Sequence, residues 1–170
     1  ILTVTRTNEV IGAIWSEIDL EQKLWIIPAS RMKAGREHRV PLGDRTVGIL
    51  SRAKELAGDS AFVFPGQKDG QHMSNMAMLM AMRRMKADAT VHGFRSSFRD
   101  WASEESSFPR DVCEMALAHT VSNKTEAAYR RGDLLEKRRA LMAAWADYAT
   151  TEQREKVVPI THARKEKRQR

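Results

Sequence analysis

Four side chains suited to phosphate chemistry fall within one stretch of the second half of the chain. His92 and Arg95 are three positions apart, and residues with that spacing share a face of a helix. Arginine presents a fixed fork of donors that matches phosphate oxygens, and histidine can donate a hydrogen bond or move a proton near neutral pH. His119 and Tyr129 follow, so that a phenol could approach the same anion. These residue types together indicate phosphoryl transfer.

Each of these residues has a simpler explanation when it is considered alone. A His-x-x-Arg pair on a basic helix is more often a solvated surface than a site. His119 could simply bind the last carbonyl groups of a helix, where positive charge is favourable. A lone tyrosine such as Tyr129 more often packs. Tyr148 provides an internal comparison, because its position beside Trp145 predicts a structural role.

An arginine near the start of the chain adds to the set of candidate phosphate ligands. Arg6 precedes a predicted helix whose apolar face contains Val10, Ile14 and Trp15. A cation is an unusual choice at a helix N-terminus for structure alone, whereas an anion binds well there. The alternative is a surface ion pair between Arg6 and Glu9, three residues later.

A basic β-hairpin is predicted between two apolar, β-branched runs, 24–27 and 40–42. Lys33 lies at its tip, from which a lysine can reach a ligand docked against the helices. Three neighbouring cations would follow a phosphate backbone: Arg31, Arg36 and Arg39. The alternative is a solvated strand edge whose charges discourage aggregation.

These motifs, in this order, resemble the tyrosine recombinases, the phage integrase family. The likeness rests on Thr5–Val10, Met32–Gly35, His38–Leu42, His92–Arg95 and Leu117–Tyr129. It covers roughly residues 1 to 150 and is closest to integrases of prophages and genomic islands. The resemblance implies an α+β, mainly helical fold: a tyrosine-recombinase-type catalytic domain with a small antiparallel β-sheet.

The resemblance also implies metal-free DNA strand cleavage and rejoining, with no cofactor. Tyr129 would attack the DNA to give a 3′-phosphotyrosyl link, which stores the bond energy for rejoining. Arg6 and Arg95 would hold the non-bridging oxygens, and Lys33 would protonate the leaving 5′-oxygen. His92 would help to move the tyrosine's proton.

Two further residues complete the expected site. His119 would donate a hydrogen bond to the phosphate or buttress it. Arg99, on the same predicted helix as the His-x-x-Arg pair, would bind DNA. Two other functions remain open at this stage: a type IB topoisomerase with a similar catalytic set, and a non-catalytic DNA-binding regulator that forms no covalent adduct.

The composition agrees with a polyanionic partner. The 170-residue chain has a net charge of +7 and a sequence pI near 9.9. An apolar run near 18 residues is missing, which disfavours membrane insertion. The single cysteine, Cys113, lies in an apolar pattern typical of a buried thiol in a reducing compartment. We therefore expect a cytoplasmic, nucleoid-associated protein.

Domain organisation follows from length and from charge. Residues 1–150 are predicted to form an N-terminally truncated catalytic domain, and residues 151–170 a flexible basic tail. The resemblance implies double-stranded DNA attachment sites as substrate and a homotetramer on DNA, with the isolated fragment a monomer. It also implies a separate N-terminal core-binding domain, which is missing here.

The remaining periodic segments predict the scaffold. Residues 44–57 should form a helix ended by Gly58, with Leu50 and Leu56 on its apolar stripe. Ser74 could cap a methionine-rich helix, whose methionines are most simply core filling, with a peptide-binding groove as the alternative. A seam of Leu134, Leu141 and Trp145 predicts a final packed helix.

Overall fold

The structure is a computed structural model and describes residues 1–119 and 132–151. Its helices are α1 (Thr7–Ile11), α2 (Asp44–Ala57), α3 (Met76–Arg84), α4 (Gly93–Glu104), α5 (Arg110–Ala116) and α6 (Leu135–Thr150). Its strands are β1 (Ile18–Asp19), β2 (Leu24–Ile27) and β3 (His38–Pro41). The predicted fold class, mainly helical with a small antiparallel sheet, is confirmed.

The three strands form one antiparallel sheet in the order β1-β2-β3. Trp25 lies opposite Val40, and Ile27 lies opposite His38. Aromatic and β-branched residues favour this half-buried, pleated setting. Ile27 is fully buried whereas Ile26 is 37% exposed, as alternation along a strand requires. The β2–β3 connection is the predicted basic tip.

Two hydrophobic clusters lie on either side of the candidate site. Helices α4, α5 and α6 surround the first, in which the rings of Phe98 and Trp145 meet edge to face at 5.4 Å. The sheet and α2 form the second, around Ile27. Leu117 belongs to the first cluster, and the next residue, Ala118, packs against the second. The end of α5 therefore lies at the boundary between the two.

Helix α1 is shorter than the sequence predicts. It ends at Ile11, and Trp15 belongs to a separate 3₁₀ turn. Gly12 caps its C-terminal end, where a β-carbon would be only 2.6 Å from a guanidinium nitrogen of Arg31, so glycine lets that side chain pack closely. Beyond this cap Ile14 is extended and pairs with Phe62 in an isolated β-bridge.

The interpretation of the methionines as core filling is wrong for three of the five methionines in and directly after α3. Met76, Met80 and Met85 are 51%, 41% and 66% exposed, and Met82 is buried. The helix begins after Asn75, without a side-chain cap from Ser74. On α2, Leu50 is buried but Leu56 is 73% exposed. Periodicity identifies an apolar face, but not how far a neighbouring element covers it.

Candidate active site

Three of the predicted catalytic residues line one open cleft of about 590 Å³. Arg6 comes from the start of α1, Lys33 from the β2–β3 connection and His119 from the end of α5. Glu114 and Ala118 complete most of the wall. The fold thus gathers an arginine, a lysine and a histidine that are far apart in sequence around a space large enough for an anionic group.

Arg6 is fixed at the cleft by a buried carboxylate. Its main-chain N–H donates to Glu9 Oε2 at 2.7 Å, and its guanidinium donates to Oε1 at 2.9 Å. The Glu9 side chain is 3% exposed, whereas that of Arg6 is 28% exposed. The pair therefore orients the guanidinium and still leaves part of it accessible to a ligand.

Arg95 lies behind this wall on α4 and is 7% exposed. Its guanidinium donates to the carbonyl of Val4 and, at 2.8 Å, to the carbonyl of Leu117. Val4 has a positive φ of 46°, an unusual conformation for a β-branched residue. Burial, followed by the nearby positive charge of Arg6, lowers the pKa of Arg95. Two clustered guanidinium groups are a favourable setting for a phosphate.

His119 is positioned by the way in which α5 ends. Ala118 has a left-handed φ of 50°, its N–H donates to the Met115 carbonyl, and the His119 N–H donates to the Glu114 carbonyl. This pair of bonds is a Schellman motif, which ends a helix in one defined direction. His119 Nδ1 also lies 2.5 Å from Glu114 Oε2. A donor bond from Nδ1 to this carboxylate leaves Nε2 for the cleft.

Lys33 lies in a tight turn within the hairpin connection. The Gly35 N–H donates to the Met32 carbonyl at 3.0 Å, so that Lys33 and Ala34 occupy the two central positions. Gly35 has φ of 61°, a conformation that glycine adopts without strain. Lys33 is exposed, which suits a side chain that must reach a bound phosphodiester.

His92 immediately precedes α4, and its carbonyl accepts the Arg95 N–H at 3.0 Å. The His92 side chain is exposed and that of Arg95 is buried, so the two residues do not share one environment although they are three positions apart.

The other two expected site residues lie elsewhere. Arg99 is 53% exposed at its side chain and lies 3.6 Å from Glu114. Tyr129, the expected nucleophile, lies outside the described residues.

The arginines predicted to follow the DNA backbone differ from one another. Arg36 is exposed in the hairpin connection. Arg31 donates to the Glu9 carbonyl at 3.2 Å and to Glu17 at 2.7 Å, so its guanidinium is already engaged within the protein. Arg39 donates to Asp133 at 3.2 Å, with about two fifths of its side chain exposed. For Arg31 and Arg39, charge patterning alone did not anticipate these internal partners.

A buried histidine next to the site was not predicted as a functional residue. His38 begins β3, is 9% exposed, and lies in the electrostatic field of Arg138, Glu9 and Arg6. Burial and then Arg138 lower its pKa to about 4, against the opposing effects of Glu9 and of a hydrogen bond to the Ala116 backbone. His38 is therefore neutral at pH 7. The sequence signal that could have identified His38 is a polar residue at an inward-facing position of a strand.

Comparison with known proteins gives a family for the whole arrangement. The phage integrase family matches residues 1–135. Prophage integrase IntA of Escherichia coli (strain K12) is 40% identical over 168 residues, which cover 97% of this chain and 40% of that protein. The integrase of Enterobacteria phage P4 is 34% identical over 166 residues, covering 87% of this chain and 38% of that protein. The chain thus spans about 40% of the length of these curated relatives.

A solved structure supports the fold independently. The integrase from mycobacterium phage Brujita superposes with a TM-score of 0.62 at 20% sequence identity, covering 84% of this chain and 47% of that one. At that identity the likeness establishes the fold alone. Within the described residues, the helices are too short or too polar to cross a membrane.

Proposed function

The chain belongs to the phage integrase family, and from this premise we propose that it is the catalytic part of a site-specific DNA recombinase. It cleaves and rejoins double-stranded DNA through a 3′-phosphotyrosyl intermediate formed by Tyr129. The observation that carries the proposal is the cleft where Arg6, Lys33 and His119 meet. The relatives are named as integrases, which favours this function over the topoisomerase and regulator alternatives.

The chemistry assigned to the site is an in-line displacement at phosphorus. The Tyr129 oxygen forms a bond to phosphorus while the bond to the 5′-oxygen breaks. His92 accepts the phenol proton, and Lys33 supplies a proton to the leaving 5′-oxygen. Because the new ester conserves the bond energy, a second 5′-hydroxyl reverses the step and reseals the strand.

Positively charged side chains at and beside the cleft would stabilise the transition state electrostatically. Negative charge accumulates on the non-bridging oxygens in the transition state, and fixed cations in a partly enclosed site stabilise it. Arg6 and Arg95 are proposed to hold these oxygens. His119, oriented by Glu114, buttresses the phosphate or, when both ring nitrogens carry a proton, donates a further hydrogen bond to it from Nε2. Exposed Arg36 and Arg99 bind the flanking backbone.

Assembly and location complete the proposal. The substrates are double-stranded attachment sites in the cytoplasm, where the DNA of the nucleoid lies. Four copies assemble on DNA, together with a core-binding domain of the kind that the family resemblance implies. A net charge of +7 favours binding to polyanionic DNA, and without DNA the isolated chain is expected to be a monomer.

The test is covalent trapping on a pool of nicked duplexes of random sequence. A nick allows the short 5′-hydroxyl product to diffuse away, so that the protein–DNA adduct survives SDS. Tyr129→Phe should form no adduct and retain its affinity for DNA. Tyr148→Phe is the matched control and should react normally, because Tyr148 packs on Trp101 and its hydroxyl donates to Glu105 at 3.1 Å. An adduct formed by Tyr129→Phe would overturn the assignment.

A further inference from the structure

Arg138 is among the most deeply buried side chains of the described chain, at 1% exposure. Its Nε donates to the Asp133 carbonyl at 2.7 Å, one terminal nitrogen donates to Asp133 Oδ2 at 3.0 Å, and the other donates to the Arg39 carbonyl on β3. Burying an arginine is costly unless it is paired and hydrogen-bonded, and here each guanidinium nitrogen has a partner. This side chain therefore ties α6 and the residues before it to the sheet.

Asp133 is the centre of this cluster. Its Oδ1 accepts the Leu135 N–H at 3.2 Å, and its Oδ2 also accepts a bond from Arg39 at 3.2 Å. Leu134, between them, has a left-handed φ of 51°, which costs a leucine free energy. A strained residue persists where its surroundings over-determine it, and such residues cluster at functional sites.

This cluster is close in sequence to the expected nucleophile, Tyr129. Asp133 follows Tyr129 by four residues, so the two Cα atoms are separated by at most about 14 Å at full extension of the chain. Arg39, which holds Asp133, is next to His38, whose imidazole lies in the field of Glu9 and Arg6 at the cleft.

We propose that Asp133, clamped by Arg138 and Arg39, is a positioning residue that anchors the C-terminal end of the tyrosine-bearing segment to strand β3. The anchor sets how often the Tyr129 phenol reaches the phosphate. Asp133 itself contacts neither the DNA nor the reacting atoms. This inference rests on the proposed function, because it takes Tyr129 as the nucleophile. Its electrostatic basis is local: Asp133 faces the guanidinium groups of Arg39 and Arg138.

A second arginine of α6 strengthens the same attachment. Arg139 donates to the Gln22 and Lys23 carbonyls, both at 3.1 Å, in the β1–β2 turn. Adjacent arginines on the first turns of α6 thus bind main-chain oxygens on two parts of the sheet. The start of α6 is held in place more firmly than packing of its apolar side alone would achieve, which is what an anchor for a neighbouring reactive segment requires.

The first experiment compares Asp133→Asn with Glu136→Gln. Both remove one carboxylate charge near the start of α6, but Glu136 is 84% exposed at its side chain and pairs with Arg139. Single-turnover adduct formation and DNA affinity are measured on the random-sequence nicked pool, at a temperature where thermal unfolding shows each protein to be folded. Asp133→Asn should form adduct about tenfold more slowly or worse, because small misplacements of reacting groups have large rate effects.

Comparing the rate of adduct formation with the affinity for DNA distinguishes an anchor from a purely structural residue, because an anchor affects only the rate. DNA affinity of Asp133→Asn should stay within about twofold of the original protein, since the carboxylate repels rather than binds phosphate. Glu136→Gln should be unchanged in both quantities. An unchanged rate for Asp133→Asn, or an equal loss of rate and affinity, would overturn the proposal.

A second variant leaves every described bond of the cluster in place. Two glycines inserted before Gly132 lengthen the tether from Asp133 to Tyr129 by about 7 Å. The anchor predicts a fall in adduct rate of about tenfold or more with DNA affinity retained, and two glycines inserted after Thr151 serve as the control. A normal rate from the lengthened tether would refute the anchor, whereas an adduct from Tyr129→Phe would refute the nucleophile assignment instead.

Discussion

Glu9 accepts two hydrogen bonds from Arg6, one from the main-chain N–H at 2.7 Å and one from the guanidinium at 2.9 Å. From sequence, an ion pair with Glu9 and an anion site at Arg6 are alternatives. In the structure the two are combined: Arg6 lines the cleft, and the Glu9 carboxylate that pairs with it is far more buried than the guanidinium. The pair can therefore hold Arg6 ready for a phosphate.

Glu9→Gln should weaken both the fold and the reaction. The amide can still accept the Arg6 main-chain bond but loses the charge that orients the guanidinium. Removing a charge-assisted bond at a buried site costs about 2 kcal/mol of unfolding free energy. Urea unfolding measures that cost, and adduct formation should fall at DNA concentrations that saturate binding.

The matched control is Glu55→Gln, which breaks another Arg–Glu pair at the same i,i+3 spacing. Arg52 and Glu55 are 70% and 63% exposed at their side chains. Because surface pairs contribute little, this variant should change unfolding free energy by less than about 0.5 kcal/mol. A similar loss from both variants would show that burial of Glu9 has no special importance.

His38 should make stability depend on pH in acid. Its pKa is lowered from 6.5 to about 4 in the folded protein, so the unfolded chain takes up a proton first as pH falls. Stability is therefore highest above about pH 6.5 and decreases as pH falls toward about 4, by up to roughly 3 kcal/mol from this group. Chemical unfolding at a series of pH values measures the slope.

His38→Gln isolates that contribution from those of the carboxylates. Glutamine retains a donor for the Ala116 backbone and does not titrate, so the decline between pH 6.5 and 4 should become shallower. Identical pH profiles for His38→Gln and the original protein would contradict a buried neutral imidazole.

Local patterns predicted the elements well where one physical rule dominates. Helix α2 was predicted over residues 44–57 and is observed at Asp44–Ala57, because periodicity and the positive φ of Gly58 agree on its end. The hairpin was predicted from its two β-branched runs and is confirmed. Family motifs, however, were needed to connect Arg6, Lys33 and His119, since nothing local indicates that they share a cleft.

Tertiary partners account for what the sequence did not predict. Arg31 was grouped with its neighbours by charge, but a guanidinium finds Glu17 and the Glu9 carbonyl only after folding. Arg138 lies in a charged run, Glu136–Arg139, a kind of segment that is usually solvated, yet its side chain is buried because Asp133 and β3 supply acceptors. Periodicity cannot distinguish a solvated arginine from one that organises a neighbouring segment.

The C-terminal tail should contribute to DNA affinity through charge alone. Residues 154–170 contain seven lysines and arginines and two glutamates. Binding by neutralising phosphates releases counterions, so affinity falls steeply with salt in proportion to the number of contacts. Deleting residues 154–170 should flatten the plot of log affinity against log salt. An unaltered slope would show that the tail does not touch DNA.

Lys33 can act as a general acid or as a phosphate contact, and the two roles respond differently to the leaving group. A 5′-thiolate leaves without protonation, because its conjugate acid is far stronger than an alcohol. Lys33→Ala should therefore cleave ordinary DNA very poorly, yet recover most of its rate when sulfur replaces the bridging 5′-oxygen. The measurement is single-turnover cleavage of both substrates at saturating protein.

Arg95→Ala is the comparison variant for the Lys33 experiment, measured on the same oxygen and sulfur substrates. The buried guanidinium of Arg95 is assigned to the non-bridging oxygens, whose charge develops whichever atom leaves. Its defect should therefore persist on the sulfur substrate, provided that the variant is first shown to be folded, since it also removes bonds to Val4 and Leu117. Equal defects of Lys33→Ala on oxygen and sulfur substrates would exclude the acid role, and leave Lys33 as one more cation at the wall of the cleft.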